Sequence, residues 1–476
     1  MSVPEGLDAP AVRAARSGVG DSGGAWIVGG AVRDSLLGRP LVDVDLAVTG
    51  EVETIAKAIA SGAGAAGFQL SEEFATWRVA ARDSSWRLDL APLRGGSIED
   101  DLGERDFTVN AMAMPLAGSE PVDPHGGRAD LEARLLRTVS DRCFTDDPLR
   151  LLRAARIGAE LDMALDPATL ELARRDARRA AEPAGERQLA ELRAIVRGPD
   201  PLRGLGLLDE IGATAAVLPE LEALRGVEQN PYHHLDVHGH TLAVLERALE
   251  IERPDRLEEL FGEHAGPIGG LLVEPLADEL DRAGGLRLGA VFHDLGKPGT
   301  RTVTDEGRVM FLGHDQTGAE LVGSICERLR TSRRLRTHLE SLTRHHLRLG
   351  FLVHHRPLSR RQVYDYLLAT DPSPVDVILL TVADRLATQG PKTRPEAVSS
   401  HLDLARELMG DALRWQLEGP PRPPLTGDDL VSELGLEEGP VLGKVLGELS
   451  AASFAGELST REEAVEMARR LAGAGL

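Results

Sequence analysis

Short apolar runs open the chain, and long amphipathic ones follow. Residues 25–28 (Ala-Trp-Ile-Val) form an apolar run that ends in Gly29-Gly30. The period of the pattern predicts a helix over 32–37, a strand over 41–48 and a helix over 52–60. Residues 77–81 and 86–90 alternate as paired strands do. The chain up to about residue 115 therefore mixes strands and helices, and from about residue 131 the pattern is almost wholly helical. Arg-rich amphipathic stretches run over 149–161, 168–180 and 186–196, with Gly198-Pro199-Asp200-Pro201 and Pro219 as breaks. A His-rich segment begins at Tyr232, and a Pro-rich linker at 418–424 leads to a final helical piece. The opening residues, 1–22, are rich in Gly, Ser and Ala and are expected to form a flexible arm.

Length and charge narrow the possibilities. At about 100–200 residues per domain, 476 residues predict three or four domains. No apolar stretch approaches the ~18 residues of a membrane span, and no secretory signal is readable at the start. Two cysteines, Cys143 and Cys326, make neither a disulfide framework nor a Cys-based zinc site. A cytoplasmic protein with no membrane contact is expected. The net charge of −22 argues against indiscriminate nucleic-acid binding without speaking to local patches.

The first chemistry appears at Gly29-Gly30-Ala31-Val32-Arg33-Asp34, followed by Asp43-Val44-Asp45. A glycine pair between a strand and a helix lets backbone N–H groups approach a phosphate closely. Arg33 near that end adds a fork-shaped donor. Residues two apart on a strand share a face, so Asp43 and Asp45 point the same way. Paired carboxylates of this kind suit Mg²⁺, which activates a hydroxyl and stabilises a leaving pyrophosphate.

These residues, with Ser35-Leu36-Leu37-Gly38-Arg39 after them, resemble the first motif of the bacterial (class II) tRNA nucleotidyltransferase and poly(A) polymerase family. The resemblance continues in order through Arg105-Asp106-Phe107-Thr108-Val109-Asn110-Ala111-Met112, Asp146-Asp147-Pro148-Leu149-Arg150-Leu151-Leu152-Arg153-Ala154-Ala155-Arg156 and Glu186-Arg187-Gln188. It implies a third acidic residue at Asp89 on a neighbouring strand. It also implies Arg105 beside the ribose, Asp106 among the nucleotide-binding residues, and a base-selecting segment that includes Asp147, Arg150, Arg153 and Arg156. It further implies addition of C, A or both to a tRNA 3′ end from CTP and ATP, with CC-only, A-only and poly(A)-adding enzymes as alternatives.

The base-selecting segment makes physical sense on its own terms. A helix carrying Asp147, Arg150 and Arg153 at i, i+3 and i+6 would set them near one face. A carboxylate accepts from an exocyclic amine and a guanidinium donates to ring acceptors, a pair that suits cytosine and adenine. Three departures from the family stand out. Glu104 replaces a second Arg, and Asp146 replaces a Glu. Only Gly95, Gly96 and Ser97 lie between Arg94 and Ile98, where CCA-adding relatives carry a longer loop. That brevity predicts good C addition and poor terminal A addition. The opposing expectation is an A-only enzyme that shares CCA synthesis with a second nucleotidyltransferase.

Further along, His240, His293-Asp294 in His293-Asp294-Leu295-Gly296-Lys297, and Asp384 resemble the HD metal-dependent phosphohydrolase pattern, with His314 and His345-His346 nearby. Imidazoles mixed with carboxylates suit Mn²⁺, Ni²⁺, Co²⁺ or a di-metal centre. An HD phosphohydrolase whose head only docks RNA is the competing reading from another class. Between Glu327 and Arg361 ten Arg stand against two acids, a local excess of +8 expected to face RNA phosphate. The expected fold is α+β. A polymerase-beta-like mixed-sheet head (23–140) precedes a helical neck (141–225), an HD domain (226–400) and a C-terminal helical tRNA-binding element (401–476).

Overall fold

The alternation read at 41–48 and 77–90 builds the centre of one mixed sheet. In this computed structural model, which describes residues 9–19, 24–118 and 120–473, the strands are β1 (Ala25–Val28), β2 (Asp43–Val48), β3 (Ala66–Ser71), β4 (Thr76–Ala80), β5 (Arg87–Pro92) and β6 (Ala113–Pro115). Their order is β3-β4-β5-β2-β1-β6. β2 and β5 run parallel and every other pair is antiparallel. Helices α1 (Pro10–Val19), α2 (Gly30–Leu36) and α3 (Val52–Ala63) belong to this head, as does α4 (Ile98–Gly103). One face of the sheet is the core, where Val44, Leu46, Val79, Leu88 and Leu90 cluster with Ala11, Val12, Ala56 and Ile59 of α1 and α3. The other face carries Asp43, Asp45 and Asp89. At one end it is closed by Val28, Ala47, Ile98 and Leu102.

Two expectations for the head change. Residues 10–19 are not a loose arm but α1, with Ala11, Val12 and Ala15 fully buried. The stripe consists of small residues, which composition alone reads as linker. Residues 1–8 and 20–22 of that arm lie outside the described residues. β3 was not expected, because five of its six residues are exposed and no face of it alternates with burial.

The chain divides into two compact units. One comprises the described residues up to Pro183 together with Gly198–Val217, and the other Ala184–Arg197 with the described residues from Leu218 onward. The expected neck is therefore not one body. The helix Gly185–Arg197 belongs with the second unit, where Arg287 donates to Val196 O at 2.7 Å and Arg193 to Asp278 O at 3.1 Å. The second unit is helical, with a long helix at Pro395–Glu418. Its last three helices, Gly427–Leu434, Pro440–Phe454 and Arg461–Gly473, enclose a core of Leu430, Val445, Leu449, Ala464 and Ala468. Among the described residues no single helix is long and apolar enough to cross a membrane.

Candidate active site in the head and metal cluster in the helical unit

Strand register decides which head carboxylates meet. Asp45 lies directly beside Asp89, and Asp43 beside Arg87, in the parallel pairing of β2 with β5. Each flanking carboxylate has a guanidinium of its own. Asp89 accepts from Arg78 Nε and Nη2 at 2.7 Å each, and Asp43 accepts from Arg87. Withdrawal from water pushes the Asp45 carboxyl up from its ordinary pKa, with Asp89 and Asp43 adding to the effect and Arg105 and Arg153 opposing it. The three carboxylates thus face one way, but Arg87 and Arg78 draw the outer two aside. Among the described residues, groups of three or more ligating atoms within 4.8 Å of one another occur only in the second unit.

A cavity of about 300 Å³ opens beside these residues, lined by Asp45, Asp89, Leu70, Arg94, Asp101 and Arg105 among others. Sequence reasoning did not single out Asp101. It is buried, accepts from Arg105 Nε at 3.1 Å and Nη2 at 2.9 Å, and so holds Arg105 in the cavity. The signal was present as an i, i+4 Asp/Arg pair that starts on α4 and ends just past it. Gly29 takes φ 68°, a conformation that favours glycine, and a Cβ on it would lie 2.9 Å from Arg105 Nη1 and displace that guanidinium. Gly30 begins α2.

Other expected nucleotide contacts are placed differently. Arg33 is buried, and its fork is held by Asp34 at 2.9 and 3.0 Å and by Asn110 Oδ1 at 2.7 Å. It braces the glycine turn rather than facing the cavity with a free guanidinium. Asp106 is also buried. Burial would raise its carboxyl, but Arg153 at 2.7 Å, the Asn110 amide and the Phe107 N–H hold it below the usual range. Asp147 is not on the helix with Arg150 and Arg153. It is extended (φ −143°) and accepts from Leu149 N, and the helix starts at Arg150. Pro148 causes this, since the residue before a proline is driven out of helical geometry. Arg150 donates to Glu104 O at 2.7 Å, and Arg156 to Glu160.

The connection from β5 to α4 is rigid as well as short. Ser97 caps α4 by accepting from Asp100 N at 3.1 Å, Asp100 accepts in turn from Gly96 N at 3.0 Å, and Gly95 turns the chain at φ 70°.

In the second unit, five helical segments bring imidazoles and carboxylates to one point. His240 Nε2 lies 3.0 Å from Asp384 Oδ1, and His293 Nε2 lies 3.1 Å from Asp294 Oδ2. The four expected ligands converge, and His314 and His346 join them. His314 Nε2 is 3.4 Å and His346 Nε2 3.8 Å from Asp294 Oδ1. Two ligand groups result, one of His240, His293 and Asp384 and one of Asp294, His314 and His346. His345, next in sequence, is not among them.

The donor chemistry fits cations. The Nδ1 atoms of His293, His314 and His346 lie 2.8, 2.7 and 2.6 Å from the carbonyls of Ala290, Phe311 and Thr343. A carbonyl only accepts, so each Nδ1 carries the hydrogen and each Nε2 lone pair turns inward. His293 Nε2 is buried without a hydrogen-bond partner, and the Nε2 atoms of His314 and His346 face each other at 3.3 Å. Burial presses the His346 imidazole down to about 3. Lys297 Nζ lies 2.6 Å from Asp294, whose carboxyl is held well below its usual range by His293 and Lys297 despite burial. Gly296 lets the segment pass beneath His314, whose carbonyl oxygen would be 2.1 Å from a Cβ there. The cluster opens into a cavity of about 720 Å³ whose walls include Tyr232, His233, Arg308, Phe351 and Lys392.

The expected basic face is largely neutralised. Of its ten arginines, Arg328, Arg330, Arg336, Arg356, Arg360 and Arg361 pair with acids, among them Glu220, Glu186, Glu407, Asp411 and Glu457. Most of those partners lie far away in sequence, which a local count of charge misses. Residues 427–473, the three C-terminal helices with their connections, carry ten acids against four basic residues, a poor match for a phosphate backbone.

A head with strand carboxylates beside a cleft, and an HD-type cluster in a helical unit, define the class. Residues 25–137 match the Poly A polymerase head domain, 237–389 the HD domain, and 162–224 the family described as the probable RNA and SrmB-binding site of polymerase A. The chain is 36% identical to an A-adding tRNA nucleotidyltransferase of Deinococcus radiodurans, over 94% of this chain and 96% of that protein. It is 34% identical to a CC-adding tRNA nucleotidyltransferase of Thermus thermophilus, over 92% of each. A structure described as a CCA-adding enzyme with ATP shares the fold, with a TM-score of 0.63 and 20% identity over 97% of this chain and 94% of that one. The chain belongs to the tRNA nucleotidyltransferase family.

Proposed function

We propose that the head adds C, A or both to the 3′ end of tRNA in the cytoplasm, taking CTP and ATP and releasing pyrophosphate. The observation that carries this is Asp45 and Asp89 in register on the open sheet face, with Arg105 held over the same cavity by Asp101. Asp43, Asp45 and Asp89 would hold Mg²⁺, which lowers the barrier to hydroxyl attack on the α-phosphate and to departure of pyrophosphate. The Gly29–Gly30 turn admits phosphate close to the backbone and Arg105 meets the ribose. Asp147, with Arg150 at the start of its helix, reads the base edge. Arg33, Asp106 and Arg153 keep that frame in shape, and Arg156 with Glu160 supports the helix.

The pinned turn at Gly95–Ser97 favours C addition over terminal A addition, because no free chain remains there to reshape the pocket between nucleotides. A second reading has its own support in the D. radiodurans relative, named as A-adding. In that reading the protein adds A alone, beside a separate CC-adding nucleotidyltransferase. Three tRNAs, ending at the discriminator, in C and in CC, are offered CTP and ATP singly and the 3′ ends sequenced. Addition of C only to the first two supports the first reading, and addition of A only to the third supports the second. Complete CCA synthesis on the first tRNA, with both nucleotides present, would defeat both.

The helical unit would add a phosphohydrolase activity, with Mn²⁺, Ni²⁺ or Co²⁺ held by His240, His293 and Asp384 on one side and by Asp294, His314 and His346 on the other. Such ions supply an activated water at neutral pH. Release of phosphate from a phosphomonoester or cyclic nucleotide with these ions, and its loss in His293→Ala, tests this. RNA contact in this unit falls to arginines outside the ion pairs, such as Arg333 and Arg334.

A further inference from the structure

The sheet face that bears the head carboxylates runs on into an exposed apolar row. Register places Asp45 opposite Asp89, Asp89 opposite Arg78, and Arg78 opposite Phe68, so these four side chains cross β2, β5, β4 and β3 in one line on one face. Leu70, two residues beyond Phe68, shares that face and lines the head cavity together with Thr76. Phe68 is 48%, Leu70 43% and Phe74 65% exposed. The register shift between Gln69 and Ser71 bends the strand end at this point. The apolar row stands apart from the core, which the opposite face of the neighbouring strands β4 and β5 builds from Val79, Leu88 and Leu90.

We propose that the β3–β4 hairpin is the seat of the 3′-terminal bases of the acceptor RNA, stacked on Phe68 and Phe74 with Leu70 beside them. This rests on the reading of the head as a nucleotide-adding site. Two arguments select that occupant. The side of Asp45 toward Gly29 is taken by Arg105, and Asp45 also feels Arg153, so the incoming nucleotide belongs there and the β4–β3 side is left for the strand that is extended. Strand spacing then puts Phe68 about 10 Å from Asp89, within the reach of a terminal nucleotide whose hydroxyl stands at the carboxylates. Stacking also tolerates any base, because each has a π-face. That suits an end whose identity changes at every addition, whereas hydrogen-bond readout would favour one end over the next.

The test uses the whole chain with Phe68→Ser/Phe74→Ser and, separately, Phe68→Trp. Both positions are exposed, and thermal midpoints check that the variants fold. The expected result is a KM for tRNA about tenfold or more higher in the double variant, with the KM for CTP or ATP within twofold of wild type. Phe68→Trp should keep the wild-type KM. A tRNA with a photoreactive 3′-terminal base should cross-link to residues 66–76, whether or not nucleotide is added. Wild-type protein that adds no nucleotide would defeat the reading of the head, and the cross-link would still report on the hairpin. An unchanged KM for tRNA in an active double variant, or cross-links confined elsewhere, would overturn the proposal. So would a change in oligomeric state with RNA kinetics intact, which assigns the face to a second copy of the chain.

Discussion

Asp45 stands directly beside Asp89 on parallel strands, and of the two only Asp89 has a guanidinium bound to it, that of Arg78 at 2.7 Å. Burial, with the charge of Asp89 and Asp43 adding to it and Arg105 and Arg153 opposing, raises the pKa of the charged Asp45 carboxylate. Asp45→Asn removes that charge without changing shape. Nucleotide addition should fall at least about a hundredfold, while tRNA affinity by filter binding stays within a few-fold of wild type. Retained addition would remove Asp45 from the reaction.

Arg150 begins its helix and donates to the carbonyl of Glu104, where relatives with a second Arg would carry another positive charge. Arg150→Ala should both slow addition and relax the choice of base. Loss of a reading guanidinium costs about 1–3 kcal/mol of discrimination, which misincorporation of UTP and GTP measures. Unchanged exclusion of both nucleotides would mean that Arg150 supports the loop and reads nothing.

The two ligand groups of the helical unit share one wall, since Asp294 lies 3.1 Å from His293 and 3.4 Å from His314. Metal content per chain after dialysis against Mn²⁺ or Ni²⁺ should therefore respond in steps. His314→Ala should lower it by one ion and leave the His240 group loaded, whereas Asp294→Ala should empty both. Head activity with Mg²⁺ should be untouched by either change. Equal loss from His314→Ala and Asp294→Ala would show a single ion.

His338 is buried, with Nδ1 on Ser373 Oγ at 2.8 Å and no partner for Nε2. Burial lowers its imidazole to about 4, with Arg282 and Arg334 adding to the effect and Asp376 opposing it. Above the unfolded value of about 6.5, both states are neutral and stability is complete. As pH falls from there toward 4, the unfolded chain takes up a proton that the folded chain refuses, and stability is lost. The loss reaches at most about 3 kcal/mol. His338→Gln should flatten this part of the denaturation-midpoint profile relative to wild type. Parallel profiles would show that His338 does not carry it.

Much of this protein can be read along the chain because its chemistry is local. Gly29-Gly30, Asp43-Val44-Asp45 and His293-Asp294 act through neighbours one or two residues away, and strand and helix periods show on which face each side chain stands. Buried strands such as β2 and β5 declare themselves in the same way. β3 does not, since neither of its faces is buried, and α1 hides its stripe in alanine. The remainder was settled by encounters between distant segments. His314 and His346 joined the cluster of candidate ligands only when helices 32 residues apart in sequence met at Asp294. Arg33 turned inward because Asn110, 77 residues on, was there to receive it. The basic stretch lost much of its charge to acids from as far as residues 186 and 457. Charge and coordination act over a few ångströms in space, and only the folded chain determines which residues come within that range.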